Sequence, residues 1–161
     1  MGKDERLYFA YLTENWVVGH AARRSPQHLT LVPPFQLSVT EAIKVCSQTV
    51  DEFAPFDVEV LQTDFFGPRQ DIEVRLVEPT RKLFNLHESL LRKLGTVGLN
   101  TKNLSYVGRD YLPHITVKPS HPNIPQEGQV LRIDHIALMH KDRHFRKLIH
   151  KESLHGRQAE T

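Results

Sequence analysis

This chain predicts an α+β fold, a mainly antiparallel sheet with helices packed outside it. Three observations carry that reading. Short alternating strands occur in both halves, and two amphipathic stretches with helix-capping signals interrupt them. A His-apolar-Thr-apolar string also recurs once per half, as His28-Leu29-Thr30-Leu31 and His114-Ile115-Thr116-Val117. In extended backbone alternate side chains share a face, so each string sets an imidazole beside a hydroxyl. Leu29 and Ile115 then turn the other way, toward a core.

Taken in order, Leu7-Tyr8-Phe9-Ala10-Tyr11-Leu12 reads as a buried strand. Trp16-Val17-Val18 extends or re-enters the sheet ahead of a basic loop at Arg23-Arg24-Ser25-Pro26. The first motif strand follows, and Pro33-Pro34 is expected to stop it, because proline has no ladder donor. Ser38 and Glu41 form a capping box for a helix whose apolar side is Ile43, Val45, Cys46, Val50 and Phe53. That helix ends before Pro55. Phe56 to Leu61 and Asp71 to Val77 alternate as the two strands of a hairpin turned at Gly67-Pro68.

Pro79 fits the first turn of a second helix, Thr80 to Leu94, with Leu83, Leu86, Leu90, Leu91 and Leu94 as its stripe and Gly95 as its C-terminal cap. A loop from Asn100 to Arg109 leads into the second motif strand, closed by Pro119. Pro122 and Pro125 mark a connector. Val130 to Met139 reads as one strand, and Phe145 to Leu154 pairs back on it after a turn at Lys141-Asp142-Arg143. Each half thus holds a motif strand, a helix and a hairpin, a duplication of pattern rather than of letters. The 161 residues suit one domain with a real core.

With 39% hydrophobic and 25% charged residues the composition is that of a globular protein. Net charge is +2, with ten histidines that add charge in mild acid, so an anionic ligand is mildly favoured. No dense Lys/Arg block marks a nucleic-acid tail. Cys46 is the only cysteine, expected to be a small buried hydrophobe, and no intrachain disulfide can form. Neither a membrane-spanning apolar run nor an apolar leader in Met1-Gly2-Lys3-Asp4-Glu5-Arg6 is present, which sets the expectation of a cytoplasmic protein. His135, His140, His144 and His150 match no compact zinc spacing and are expected on an exposed hairpin or tail. His-Glu-x-x-His, phosphate-binding Gly-x-x-x-x-Gly-Lys-Ser/Thr and dinucleotide-binding Gly-x-Gly-x-x-Gly patterns are all missing from the sequence. The expectation is no cofactor and no metal.

Two histidines and two threonines lining one cleft suit chemistry on phosphate. Cleaving a cyclic phosphodiester needs one group to take a proton from water and another to give one to the departing sugar oxygen. Imidazole does both near neutral pH. Thr30 and Thr116 would hydrogen-bond the non-bridging oxygens as charge builds. Which histidine is base and which acid is open at this level. Lys118 continues the alternation of His114 and Thr116 and is a candidate to face the phosphate. Tyr111 is a candidate to stack a base or donate to phosphate, Arg23, Arg24 and Arg109 sit in loops flanking the motifs, and Phe35 is a candidate for the core or the cleft rim.

With both motifs and their flanks, His28-Leu29-Thr30-Leu31-Val32-Pro33-Pro34-Phe35 and Tyr111-Leu112-Pro113-His114-Ile115-Thr116-Val117, the chain resembles the 2H phosphoesterase superfamily from about Leu7 to Leu154. These are relatives of RNA 2′,5′-ligases and 2′,3′-cyclic phosphodiesterases. The resemblance implies two pseudo-symmetric lobes around a central cleft, with the motifs facing each other from the central strands. It implies hydrolysis or ligation at a 2′,3′-cyclic phosphate or a 2′,5′-linked RNA or nucleotide, without metal. One departure stands out. Family members often carry a long helix between first strand and first motif, whereas fifteen residues separate Leu12 from His28 here. A monomer acting on an RNA end or a small cyclic-phosphate nucleotide is the expected assembly. An ADP-ribose cyclic phosphate is a further substrate class, and an RNA- or nucleotide-binding module with little catalysis is the alternative function.

Overall fold

The motif strands sit side by side at the middle of one antiparallel sheet, and the rest of the fold is arranged around that joint. The computed structural model describes residues 5–121 and 123–157. Residues 1–4, over which the leader was sought, and Pro122 of the connector lie outside the described residues. In chain order the elements are β1 (Arg6–Leu12), β2 (Ala21–Ala22), β3 (His28–Phe35), α1 (Val39–Val50), β4 (Phe56–Phe66), β5 (Ile72–Val77), α2 (Arg81–Thr96), β6 (His114–Thr116), β7 (Val130–Ile133), β8 (His135–Lys141) and β9 (Arg146–Ser153). Strand order across the sheet is β2-β9-β8-β1-β3-β6-β5-β4-β7. Read outward from the joint, one lobe runs β3-β1-β8-β9 with the two-residue β2 added at its edge and the other β6-β5-β4-β7, the motif strand innermost in each. None of the helices is long and apolar enough to cross a membrane among the described residues.

Both helices cover the face of the sheet opposite the motif side chains. Ser38 Oγ accepts the Glu41 N–H at 3.2 Å and starts α1, which buries Ala42, Val45, Cys46, Thr49 and Val50. The stripe on α2 buries Leu83, Leu86, Leu90 and Leu94 against a core that also holds Leu29, Leu31 and Ile115. The motif face of the outer strands has its own small cluster of Tyr8, Ala10, Leu12, Ala137, Met139 and Leu148, with Trp16 packed on it. The short Leu12–His28 link therefore does the covering that a helix would do. It folds back over the sheet, held by β2 on β9 and by the Gly19 N–H on the Leu148 carbonyl at 2.8 Å.

The structure revises several expected boundaries. Trp16-Val17-Val18 is not strand; re-entry comes at Ala21–Ala22. Pro33 and Pro34 do not end β3, which runs on to Phe35. Between the pairs Val32↔Phe9 and Phe35↔Leu7 two prolines oppose the single residue Tyr8, so they form a bulge in which no ladder donor is required. Thr80, not Pro79, bounds α2: its Oγ1 accepts the Leu83 N–H at 3.1 Å. Gly95 lies inside that helix. The turn out of it falls at Gly98, whose φ of +101° is the left-handed value glycine tolerates. The run Val130 to Met139 is two strands broken at Asp134, because β7 pairs with β4 and β8 pairs with β1, in different lobes.

Candidate active site

Backbone register assembles the site. The motif strands join through the pair Leu29↔Ile115, so His28 lies opposite Thr116 and Thr30 opposite His114. All four side chains stand on the face away from Leu29 and Ile115, and all are half-buried. Each histidine thus has a threonine of the other motif as its direct cross-strand neighbour. The two histidines occupy a diagonal, a spacing of about 7–8 Å between backbones.

The two imidazoles are held alike. His28 Nδ1 donates to the Pro26 carbonyl at 2.6 Å, and His114 Nδ1 donates to the Leu112 carbonyl at 2.7 Å, each two residues back along the chain. A proton fixed on Nδ1 leaves Nε2 as the working nitrogen of both rings. An aromatic ring flanks each: Tyr8 lies 5.5 Å from His28, and Phe66 meets His114 edge-on at 4.8 Å. Burial pushes the pKa of His28 down to about 4, with the Pro26 bond opposing and the neighbouring Lys118 and His114 adding to the fall. His28 is therefore neutral across the physiological range.

Side-chain bonds reinforce the short joint between the lobes. Tyr111 donates its hydroxyl to the Thr30 carbonyl at 2.8 Å, and His87 donates from Nδ1 to the Leu31 carbonyl at 2.7 Å. The Gly108 N–H closes on His87 Nε2 at 2.9 Å, and the Tyr111 and His87 rings stack at 4.0 Å and 5°. On the other side Gln27 donates its amide to the Thr116 carbonyl, while Glu14 accepts the Gln27 backbone N–H and pairs with His121. Gln27 is fully buried, and its Oε1 has no partner among the described residues. Glu14 and Gln27 thus fix the residue before His28 to the backbone of Thr116. Replacing Glu14 by Ala is expected to lower kcat about tenfold or more while leaving the unfolding midpoint within a few degrees, since small misplacements of reacting groups are costly. Steady-state kinetics beside thermal unfolding would check this; an unchanged kcat would remove Glu14 from the positioning network.

A cleft of about 560 Å³ opens beside His114 and Thr30. Its walls are Pro33, Pro34, Phe65, Phe66, Gly67, Gln70, Ser105, Tyr106, Tyr111 and Leu112, an apolar and aromatic lining next to the polar motif groups. Tyr106 is 75% exposed and holds φ +59°, an uncommon backbone state for an aromatic residue. Apart from Tyr111, these walls were not singled out as site residues in the sequence. Phe65 and Phe66 lie in a hairpin that extends five residues beyond the expected strand end at Leu61, and Tyr106 lies in an irregular loop.

The other candidates divide. Lys118 is half-buried and close enough to His28 to act on it, and Arg24, exposed, acts in turn on Lys118. Tyr111 reaches the cleft wall, but its hydroxyl is committed to Thr30 and only its ring faces the opening. Arg109 is exposed on the short turn Gly108–Asp110 and is not among the lining residues, and Arg23 is exposed on its loop. Phe35 takes the core rather than the cleft rim: it is 2% exposed and packs against Phe9, on the inward side of the strand that Leu29 and Leu31 also occupy. His135 is likewise buried rather than exposed, accepting the Leu12 N–H on Nε2 at 3.1 Å. On the helix side of the sheet Cys46, His150 and Glu152 bring possible ligand atoms within 4.8 Å of one another. There the Glu152 carboxylate is already engaged by Ser47 Oγ and the His150 ring.

The family model describing the 2′-5′ RNA ligase superfamily matches residues 17–144, which include both motif strands and the cleft walls. The chain belongs to the 2′-5′ RNA ligase superfamily. Solved structures agree in fold. The protein TT0787 of Thermus thermophilus aligns with a TM-score of 0.70 at 19% identity, covering 95% of this chain and 100% of that one. A crystal structure titled phosphoesterase gives 0.61 at 16% identity, covering 94% and 99%. Escherichia coli LigT complexed with 3′-AMP gives 0.60 at 16%, covering 93% and 98%. No curated protein matched the sequence. Superfamily membership marks the chain as a phosphoesterase-like enzyme, and the four motif residues fall where the two lobes of such a fold meet.

Proposed function

We propose that this superfamily member hydrolyses a 2′,3′-cyclic phosphate or a 2′,5′-linked RNA or nucleotide by two-histidine acid–base catalysis. The observation that carries the reading is the register that sets each histidine opposite the other motif's threonine on one accessible face. His28, neutral through burial, is the base. Its Nε2 takes a proton from water as the water oxygen bonds to phosphorus. The bond from phosphorus to the sugar oxygen breaks, and His114 gives that oxygen a proton from Nε2. Thr30 and Thr116 hydroxyls hold the non-bridging oxygens, and Lys118 offsets their charge. The scheme balances without a metal ion. The apolar cleft beside His114 takes the nucleoside, its ring against Phe66 or Tyr106. That E. coli LigT is complexed with 3′-AMP and with phosphate in solved structures supports a nucleotide phosphate as ligand.

The test is turnover of nucleoside 2′,3′-cyclic phosphates and 2′,5′-linked dinucleotides by the purified chain. Thr30→Ala and Thr116→Ala are each expected to cut kcat by roughly 10–1000-fold with little change in KM, as for loss of a transition-state hydrogen bond. Binding of these compounds without turnover would overturn the catalytic reading and leave a nucleotide-binding module in its place.

A further inference from the structure

Across the β3/β6 joint from the aromatic cleft, the same face of the sheet is cationic. The register places Arg6 opposite Lys141 and Lys141 opposite Arg146, three cations in one row over β1, β8 and β9. Like charges directly opposite one another weaken a sheet, so the row is a cost to folding. Tyr8 links it toward His28, the Arg146 charge reaching the Tyr8 hydroxyl. Two residues along β1 from Arg6, the Tyr8 ring lies 5.5 Å from the His28 ring. The Tyr8 hydroxyl lies 3.0 Å from Oγ of Ser25, the residue after Arg24.

Lys118 bridges this row to the motifs. Burial lowers its pKa, and Arg146 and Arg24 lower it further, while Lys118 in turn acts on His28. The pKa of Lys141 is lowered by burial and then by Arg146 and Arg6. Arg146 is aimed by backbone carbonyls, those of Asp142 at 3.1 Å and Phe145 at 3.3 Å. The nearby acids are otherwise engaged: Glu14 by Gln27 and His121, and Asp142 by the His144 and Phe145 N–H groups. Among the described residues no carboxylate forms an ion pair with Arg24, Lys118, Lys141 or Arg146.

We propose that Lys141 and Arg146, with Lys118 and Arg24 between them and His28, form a second phosphate subsite, so that the substrate carries at least one phosphate besides the one held between the histidines. The inference rests on the phosphoesterase reading and narrows it. The nucleoside lies on the His114 side, the reacting phosphorus at the joint, and the further phosphate on the His28 side. Two sources share this chemistry: the backbone of an RNA strand, or an additional phosphate on a free nucleotide.

The experiment compares three substrates: adenosine 2′,3′-cyclic phosphate, its 5′-phosphorylated form, and a trinucleotide ending in the same cyclic phosphate. The added phosphate is expected to raise kcat/KM about tenfold or more, mainly through KM, with the gain shrinking as salt rises. In the double variant Lys141→Gln/Arg146→Gln, with folding checked by its unfolding midpoint, the ratio between phosphorylated and unphosphorylated substrates should approach one. A gain confined to the trinucleotide assigns the subsite to an RNA backbone; an equal gain for both assigns it to any single further phosphate. Equal kcat/KM for all three in the wild-type chain would overturn the subsite and leave the phosphoesterase reading standing. If none turns over, that reading fails, and the subsite is judged by fluorescence anisotropy with the labelled 5′-phosphorylated trinucleotide. Weaker binding by the double variant supports it; equal binding overturns it.

Discussion

Replacement of His28 or His114 by alanine should each lower kcat by roughly 10²–10⁴-fold, the range for loss of a positioned general acid or base. Both rings stand on the open face of the sheet, and their Nδ1 bonds go to carbonyls of their own strand approaches, so the core beneath is untouched. Losing both should cost little more than losing one, because the groups act as a unit. The pH profile supplies a sharper test of the roles. A base with its pKa near 4 keeps kcat/KM level on the acid side from pH 6.5 to 5, whereas an ordinary imidazole base would lose most of its activity there. A decline centred near 6.5 would transfer the base role away from His28. Full activity in either alanine variant would end the two-histidine mechanism.

The second large effect concerns stability. Three histidines are held neutral by the fold: burial lowers the pKa of His28, of His87 and of His135. In His87 and His135 both ring nitrogens are occupied, Nε2 accepting a backbone N–H in each case, so protonation breaks a bond as well as burying charge. The unfolded chain takes up these protons near pH 6.5 while the folded chain resists. Stability is therefore fully present above about 6.5 and falls as the pH drops, the His28 share ending near pH 4. That share alone is about 3 kcal/mol, at about 1.4 kcal/mol per pH unit, against the roughly 5–15 kcal/mol that holds a typical domain. Urea unfolding at a series of pH values should show the midpoint dropping steeply between pH 6.5 and 5. A flat profile over that interval would mean these rings accept protons without cost. His155, exposed and with its pKa raised by the Ser153 carbonyl and Asp51, runs the other way and only softens the slope.

Strands, helices and the motif pair were legible because each has a local cause. The apolar run of Leu7–Leu12, the alternation of Ile72–Val77, the Ser38 cap and the leucine stripe of α2 all act within a few residues. What escaped notice depends on partners distant in the chain. Pro33 and Pro34 read as a stop until Tyr8 is seen opposite them. Val130 to Met139 has one unbroken pattern, yet its halves answer to β4 and β1. His87 occupies one position in an otherwise ordinary amphipathic helix; only the meeting of α2 with Tyr111 and Leu31 gives it a task. Glu14, Gln27 and His121 carry no spacing that would join them, since they are united by the way the Leu12–His28 link folds back.

The pairing of Leu29 with Ile115 has a consequence for control. In the proposed mechanism acid and base come from different lobes, and the ladder between the two motif strands is brief. A shift of β3 against β6 by a few ångströms would pull the proposed proton donor from the acceptor. On that mechanism the Tyr111, His87 and Gln27 bonds to the Thr30, Leu31 and Thr116 carbonyls, which hold the two strands at their joint, would guard the spacing of the reacting groups.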